Sequence, residues 1–176
     1  GLDINQSDEN KESTLNKWLK INTTIDLQLS AYIDNGLFSS ELDKINFYRE
    51  IESLEELEDL ENIITDFKEI NTDISTETQN FFDMLEVKIR APSYKILAIK
   101  KLGINYQIDF HESITLDELK SFLNIDTQVK FEVNKLYRLR SPVKKFKSDE
   151  EFLKYLKTIF TTKLTAQKKK IKLKKR

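Results

Sequence analysis

Residues 114–140, ITLDELKSFLNIDTQVKFEVNKLYRLR, are the stretch whose reading decides the fold. Its first part is clear. Thr115 and Glu118 form a capping box, and Leu116, Leu119, Phe122 and Leu123 recur as one face of a helix. A turn at Asn124–Asp126 ends it. The run Gln128–Arg140 reads two ways: Val129, Val133 and Leu136 fit a helix, while Val129, Phe131 and Val133 alternate as a strand. A second helix gives a helix pair, and strands give a small mixed sheet.

The flanks of this stretch predict elements of both kinds. On its N-terminal side, Ile104, Tyr106, Ile108 and Phe110 alternate with Asn105, Gln107 and Asp109, which is strand spacing. Before that, Ser93 is suited to cap a short helix over Tyr94–Leu102 that stops at Gly103, and Pro92 ends whatever precedes it. On the C-terminal side, Ser148 with Glu151 opens an amphipathic helix through Phe152, Leu153, Leu156, Ile159 and Phe160.

The N-terminal half predicts helices throughout. Leu15, Trp18, Leu19, Ile25, Leu29, Tyr32 and Ile33 are read as a first helix that Gly36 closes. Ser39 or Ser40 opens a second at about 40–52, carrying Leu42, Ile45 and Tyr48. A third at about 54–72 follows the capping box of Ser53 and Glu56, and a fourth, with Phe81, Phe82 and Leu85, follows Thr76 and Gln79. The apolar stripe from Ile51 to Ile74 steps mostly by three, so on one straight helix it would drift around the surface. Leu54, Leu57, Leu60, Ile64 and Phe67 of that stripe are the candidate protein-interface residues, and the positions between them are largely Glu and Asp.

Charge separates the two halves. Residues 1–86 hold 21 Asp/Glu against 6 Lys/Arg, a net of −15, and residues 87–176 hold 23 Lys/Arg against 9 Asp/Glu, a net of +14. The near-neutral total of −1 hides two opposing fields, which bear on the choice of partners rather than of fold. The last 14 residues, KLTAQKKKIKLKKR, carry eight cations and no acid, as a frayed helix end or a phosphate-binding tail would. The chain therefore divides into a polar lead-in (1–13), an acidic helical region (14–91), a basic mixed module (92–162) and a Lys-rich tail (163–176). The alternative is that the two halves clasp each other.

Taken as helix, strand, helix, second helix and extended segment, residues 93–147 resemble a winged-helix domain. Leu119, Leu123, Ile125, Val129, Val133 and Leu136 stand at the family's recurring apolar positions, with a turn about one residue shorter than usual. The resemblance implies a nucleic-acid or protein-docking face. Gln128, Lys130, Lys135 and Arg138 would lie on or near it, with Arg140, Lys144, Lys145 and Lys147 in the wing. Lys168, Lys169, Lys170, Lys172, Lys174, Lys175 and Arg176 of the tail complete the candidate nucleic-acid set. The competing reading makes 128–140 a pair of strands in a β-grasp-like sheet.

Parts for chemistry are few. Without Cys there is no disulfide or thiolate site, and Gly1, Gly36 and Gly103 cannot build a phosphate-cradling loop. The lone His111 sits beside Glu112, as a solvated loop pair does. Glu86-Val87-Lys88 matches the E-x-K of metal-dependent nucleases, with Asp66 or Asp73 as a second carboxylate, but such triplets are frequent in so charged a chain. The expectation is a predominantly helical α+β protein: an acidic helical hairpin or coiled-coil-like part, then a small basic winged-helix-like or β-grasp-like module with a terminal helix. Its expected role is a non-enzymatic assembly or adaptor subunit, without cofactor, metal or small-molecule substrate. It would meet a protein partner or a second copy through the acidic half, and nucleic acid or another acidic surface through the basic half. The alternatives are a DNA-binding regulator and a surface-tethered or anionic-membrane module. An intracellular location is favoured.

Overall fold

The computed structural model describes residues 20–123, 130–134 and 136–174. Five strands form one mixed sheet: β1 (Thr24–Asp26), β2 (Ile96–Leu102), β3 (Asn105–Phe110), β4 (Lys130–Asn134) and β5 (Leu136–Pro142), in the order β1-β2-β3-β5-β4. β1 runs parallel to β2, and every other pair is antiparallel. The helices are α1 (Glu41–Glu52), α2 (Leu57–Ile70), α3 (Thr76–Arg90), α4 (Leu116–Leu123) and α5 (Asp149–Lys174). The expected α+β class holds, with β1 and β2 as strands where helices were predicted.

Both exceptions have a physical cause. Ile25, Leu29 and Ile33 recur every four residues, which fits a helix, but Leu27 and Ala31 between them complete a period of two. In the structure these five are partly or fully buried, while Thr24, Asp26, Gln28, Ser30 and Tyr32 are exposed. Leu15, Trp18 and Leu19 of the predicted first helix lie outside the described residues. In β2 a bulge between Ile96 and Ala98 shifts the alternation by one residue. Ile96 and Ile99, three apart as on a helix, therefore both enter the core. A short 3-10 turn, Ala91–Tyr94, precedes β2, and Lys95 then takes a left-handed conformation (φ 59°) that no helix could continue through.

β4 and β5 pair antiparallel, with Phe131 opposite Leu139 and Val133 opposite Tyr137. The described residues of this stretch are strands and not a recognition helix, so the winged-helix expectation is corrected and the pair-of-strands reading stands for them. Leu139 pairs with Ile108 across β3, and that contact rewards the extended form, which the local sequence permits as readily as a helix.

The apolar residues form two clusters that share α3. Against one face of the sheet, Val87, Leu119, Phe122, Phe152, Leu156 and Phe160 cover Ile99, Tyr106, Ile108, Phe110 and Leu139. The second cluster joins Ile33, Ile51, Leu60 and Phe67 to Phe81, Phe82 and Leu85. Burying such a side chain stabilises by about 1.5–3 kcal/mol, so α3 is the element that neither cluster can lose. Helix starts follow their caps. Thr115 and Glu118 satisfy each other's backbone N–H groups, at 2.7 and 3.2 Å. Ser148 accepts from the Glu151 N–H at 3.2 Å. Two predicted caps move. Ser75, one residue before Thr76, caps α3, and Ser53 closes α1 by donating to the Glu50 carbonyl at 2.7 Å.

Candidate interaction surfaces

The predicted partner stripe folds inward. Leu60 (0% exposed) and Phe67 (7% exposed) belong to the second core, and Leu54 and Ile64 pack against it. Leu57 is half-buried. Phe81 and Phe82 of α3 are what cover α2, with Phe67 and Phe82 rings edge-on at 5.3 Å. The same helices leave other groups outside. Every carboxylate of α1 and α2 is exposed, and against three cations they give a net of −6. Leu42 and Ile45, one helical turn apart on α1, are 65% and 45% exposed among them.

The basic candidates are scattered over the other half. Arg138 is spent inside the fold: its Nε donates to Asp109 Oδ1 at 2.7 Å, and Gln107 donates to the same carboxylate. Asp109 is 6% exposed and Gln107 3%, so this is a buried polar knot on the sheet face opposite the core. Lys130 is opposite Arg140 in the β4–β5 ladder, and Arg140 is opposite Gln107 in β3. Lys144 and Lys147 are exposed, and the Lys145 ammonium sits 5.9 Å from the rings of Phe146 and Tyr155. Lys168, Lys169, Lys170, Lys172 and Lys174 fall within α5. Lys135, Lys175, Arg176, Gln128, Ile125 and Val129 lie outside the described residues.

Between the halves the clasp is narrow. Among the described residues two cations span it: Lys157 of α5 lies 2.8 Å from Asp83 and 2.9 Å from Glu86, and Arg90 lies 3.2 Å from Glu86 and 4.0 Å from Glu61. Burial works against the Lys157 ammonium. The hydrogen bonds and charges of Asp83 and Glu86 outweigh that cost, and its pKa is raised. Asp83 is 3% exposed and also accepts from Gln79 at 2.9 Å. The sequence placed Phe81, Phe82 and Leu85 on a helix, and Asp83 shares that helix. Nothing local marks it as a partner for a residue 74 positions later.

The residues considered for chemistry have other work. Glu86 of the E-x-K triplet holds Lys157 and Arg90, on a helix and not a strand, while Lys88 and Asp66 are exposed. His111 Nδ1 is 2.8 Å from Ser113 Oγ in a local turn. Tyr106 and Lys101 both hold Asp149 Oδ1, at 2.6 and 2.9 Å. Burial first, and the neighbouring carboxylate second, push the Tyr106 phenol above its ordinary range. Among the described residues no three His, Asp or Glu side chains gather as a metal site, and no helix is long and apolar enough to cross a membrane. A cleft of about 770 Å³ lies between β1, the α1–α2 turn and the end of α3, and its charged rim residues Lys20, Glu52, Glu55 and Lys88 are all exposed.

A family model described as the TRCF domain matches residues 27–121, more than half of the chain. No curated protein matches significantly. Among solved structures the chain is similar to the crystal structure of the C-terminal domain of transcription-repair coupling factor. The TM-score is 0.69 at 19% identity, covering 79% of this chain and 89% of that chain. At that identity the likeness shows the fold alone. The family match is sufficient by itself: the chain belongs to the TRCF domain family.

Proposed function

We propose that this TRCF-family chain is a non-enzymatic protein-docking domain, an adaptor in DNA repair coupled to transcription. Its acidic helical face takes a basic protein surface, and its basic half takes an acidic partner. The family and the name of the similar structure support the repair setting. One observation carries the docking role: Leu42 and Ile45 stay exposed on α1 amid carboxylates of which, among the described residues, Glu61 alone is ion-paired to another part of the chain. An apolar centre with a charged rim is the usual anatomy of a specific interface. The rim sets approach and partner choice, and the centre supplies the contact area. Most of the neighbouring apolar stripe is taken up by the core, Ile70 (82% exposed) excepted, so the docking face consists of the outward residues of α1 and α2.

The test is site-directed photo-crosslinking in cells from a benzophenone amino acid placed at Ile45. The expected result is a crosslink to a protein with a basic surface, weakened at least several-fold by adding Leu42→Lys. Crosslinks to nucleic acid alone, or a protein crosslink indifferent to Leu42→Lys, would overturn the proposal.

A further inference from the structure

The tip of the β2–β3 hairpin carries two aliphatic side chains that the fold does not use. Gly103 turns the chain in a left-handed conformation (φ 58°), which a residue with a Cβ adopts only under strain. Leu102 and Ile104 on either side of it are 52% and 82% exposed. Cations surround them. Lys100 precedes Leu102 by two positions in β2 and so shares its sheet face. Arg140 lies on that face too, because Gln107 is opposite Lys100 on one side and Arg140 on the other. The Val143 N–H donates to the Ile104 carbonyl at 2.8 Å, which sets the turn Val143–Lys145 and its exposed Lys144 against the tip. The described acidic residues that border this group include Glu132, opposite Arg138 on β4, and two more. Asp26 is opposite Lys100 on β1, and Asp109 is held by Arg138.

We infer that this tip is a docking site for an acidic protein segment carrying an aliphatic or aromatic anchor. The combination of groups selects that occupant. A nucleic-acid backbone would reward the cations and gain nothing from Leu102 and Ile104. Tyr106, two residues past Ile104 in β3, and Phe146, just after the Val143–Lys145 turn, pack edge-on to each other at 5.7 Å, and Tyr106 is 1% exposed, so among the described residues these rings offer bases no stacking platform. An acidic segment with an apolar anchor uses both features, with contact at the centre and ion pairs at the rim. The inference rests on the second half of the reading above, that the basic half takes an acidic partner. It uses no residue of α1, so its failure would leave the acidic docking face untouched.

The experiment is an NMR titration of the whole ¹⁵N-labelled chain with three probes. One is a synthetic Asp/Glu-rich peptide with a central Leu-Phe pair, the second the same peptide with that pair replaced by Ser, and the third a short DNA duplex. The anchored peptide is expected to shift the amides of residues 100–104 and 140–145, and the Ser peptide to bind about tenfold more weakly or less. L102S/I104S, remote from both cores, should lose the same tenfold with an unchanged spectrum elsewhere. K144E should weaken binding further at low salt than at high salt. Equal binding of both peptides, or full binding by L102S/I104S, would overturn the assignment. So would DNA as the tightest ligand at these amides, or no shift with any probe.

Discussion

The sheet region and the α1–α2 region are both rich in charge, yet they use it in opposite ways. Around the sheet the charges are partners of one another: Asp109 with Arg138, Asp149 with Lys101 and Tyr106, Glu118 with Lys95. Several of these groups are buried, and a buried charge without its partner costs several kcal/mol. On α1 and α2 the carboxylates stand in water, and among the described residues all but Glu61 lack an ion pair to another part of the chain. Exposed charges contribute on the order of 0–1 kcal/mol each and are free to serve recognition. Net charge therefore separates the two halves of the sequence without separating structural from functional charges. Burial does that.

The comparison can be broken first at the element both regions share. Phe82→Ala in α3, where Phe82 is 1% exposed against Phe67, should cost about 3–5 kcal/mol in urea unfolding. It should lower the stability of both regions together. Loss confined to one of them would mean that α3 does not couple them.

A smaller effect is expected at the clasp. Lys157→Met leaves Asp83 buried beside Glu86 without its cation, and a loss of about 2–3 kcal/mol is expected, since Lys157 itself is 30% exposed. Asp83→Asn in the same chain should restore part of it, and a double-mutant cycle reads the coupling. Additive losses would show that the pair does not act as one. The sign of its pH dependence follows from the raised Lys157 pKa. Its stabilisation is complete below the ordinary lysine value of 10.5 and is lost as pH rises through the higher folded value. Lys157→Met should therefore flatten the alkaline limb of the stability profile.

Smaller still is the helix cap at α4. Burial would raise the Glu118 pKa, but hydrogen bonds from the Thr115 N–H and Lys95, with the Lys95 charge, lower it overall. The carboxylate then stabilises the fold above its ordinary value of 4.5, and that contribution fades as pH falls through the depressed folded value. Thr115→Ala should cost about 1 kcal/mol near neutral pH, because it leaves the Glu118 N–H without its hydroxyl acceptor. Thermal melts between pH 3 and 7 should bring Glu118→Gln toward the parent at the acid end, whereas the Thr115→Ala deficit, which comes from a bond that does not titrate, should persist there.

The sequence showed most of this arrangement wherever a local signal decides the structure. Capping residues announced α1, α4 and α5, and strict alternation announced β3. It failed where two periods coincide, as with Ile25, Leu29 and Ile33, and where the β2 bulge made strand residues fall at helical spacing. The sites were less legible. Leu60 and Leu42 are equally apolar residues on acidic helices, and only the cover supplied by Phe81 and Phe82 makes the first core and the second surface. Arg138 looked available because Asp109, its cross-strand neighbour, lies 29 residues away.

The most direct test sets the two kinds of charge side by side in urea unfolding. In α1–α2, Glu50→Lys/Asp66→Lys/Glu69→Lys reverses three exposed carboxylates, and each substitution should move stability by no more than about 0.5 kcal/mol. In the sheet, Asp109→Asn alone changes one buried partner of Arg138 and should cost about 2–4 kcal/mol. A triple variant that unfolds at the parent's urea midpoint, beside a clearly weakened Asp109→Asn, is the predicted result. If the triple variant falls as far as Asp109→Asn, the acidic face holds the fold together, and its assignment to docking is contradicted.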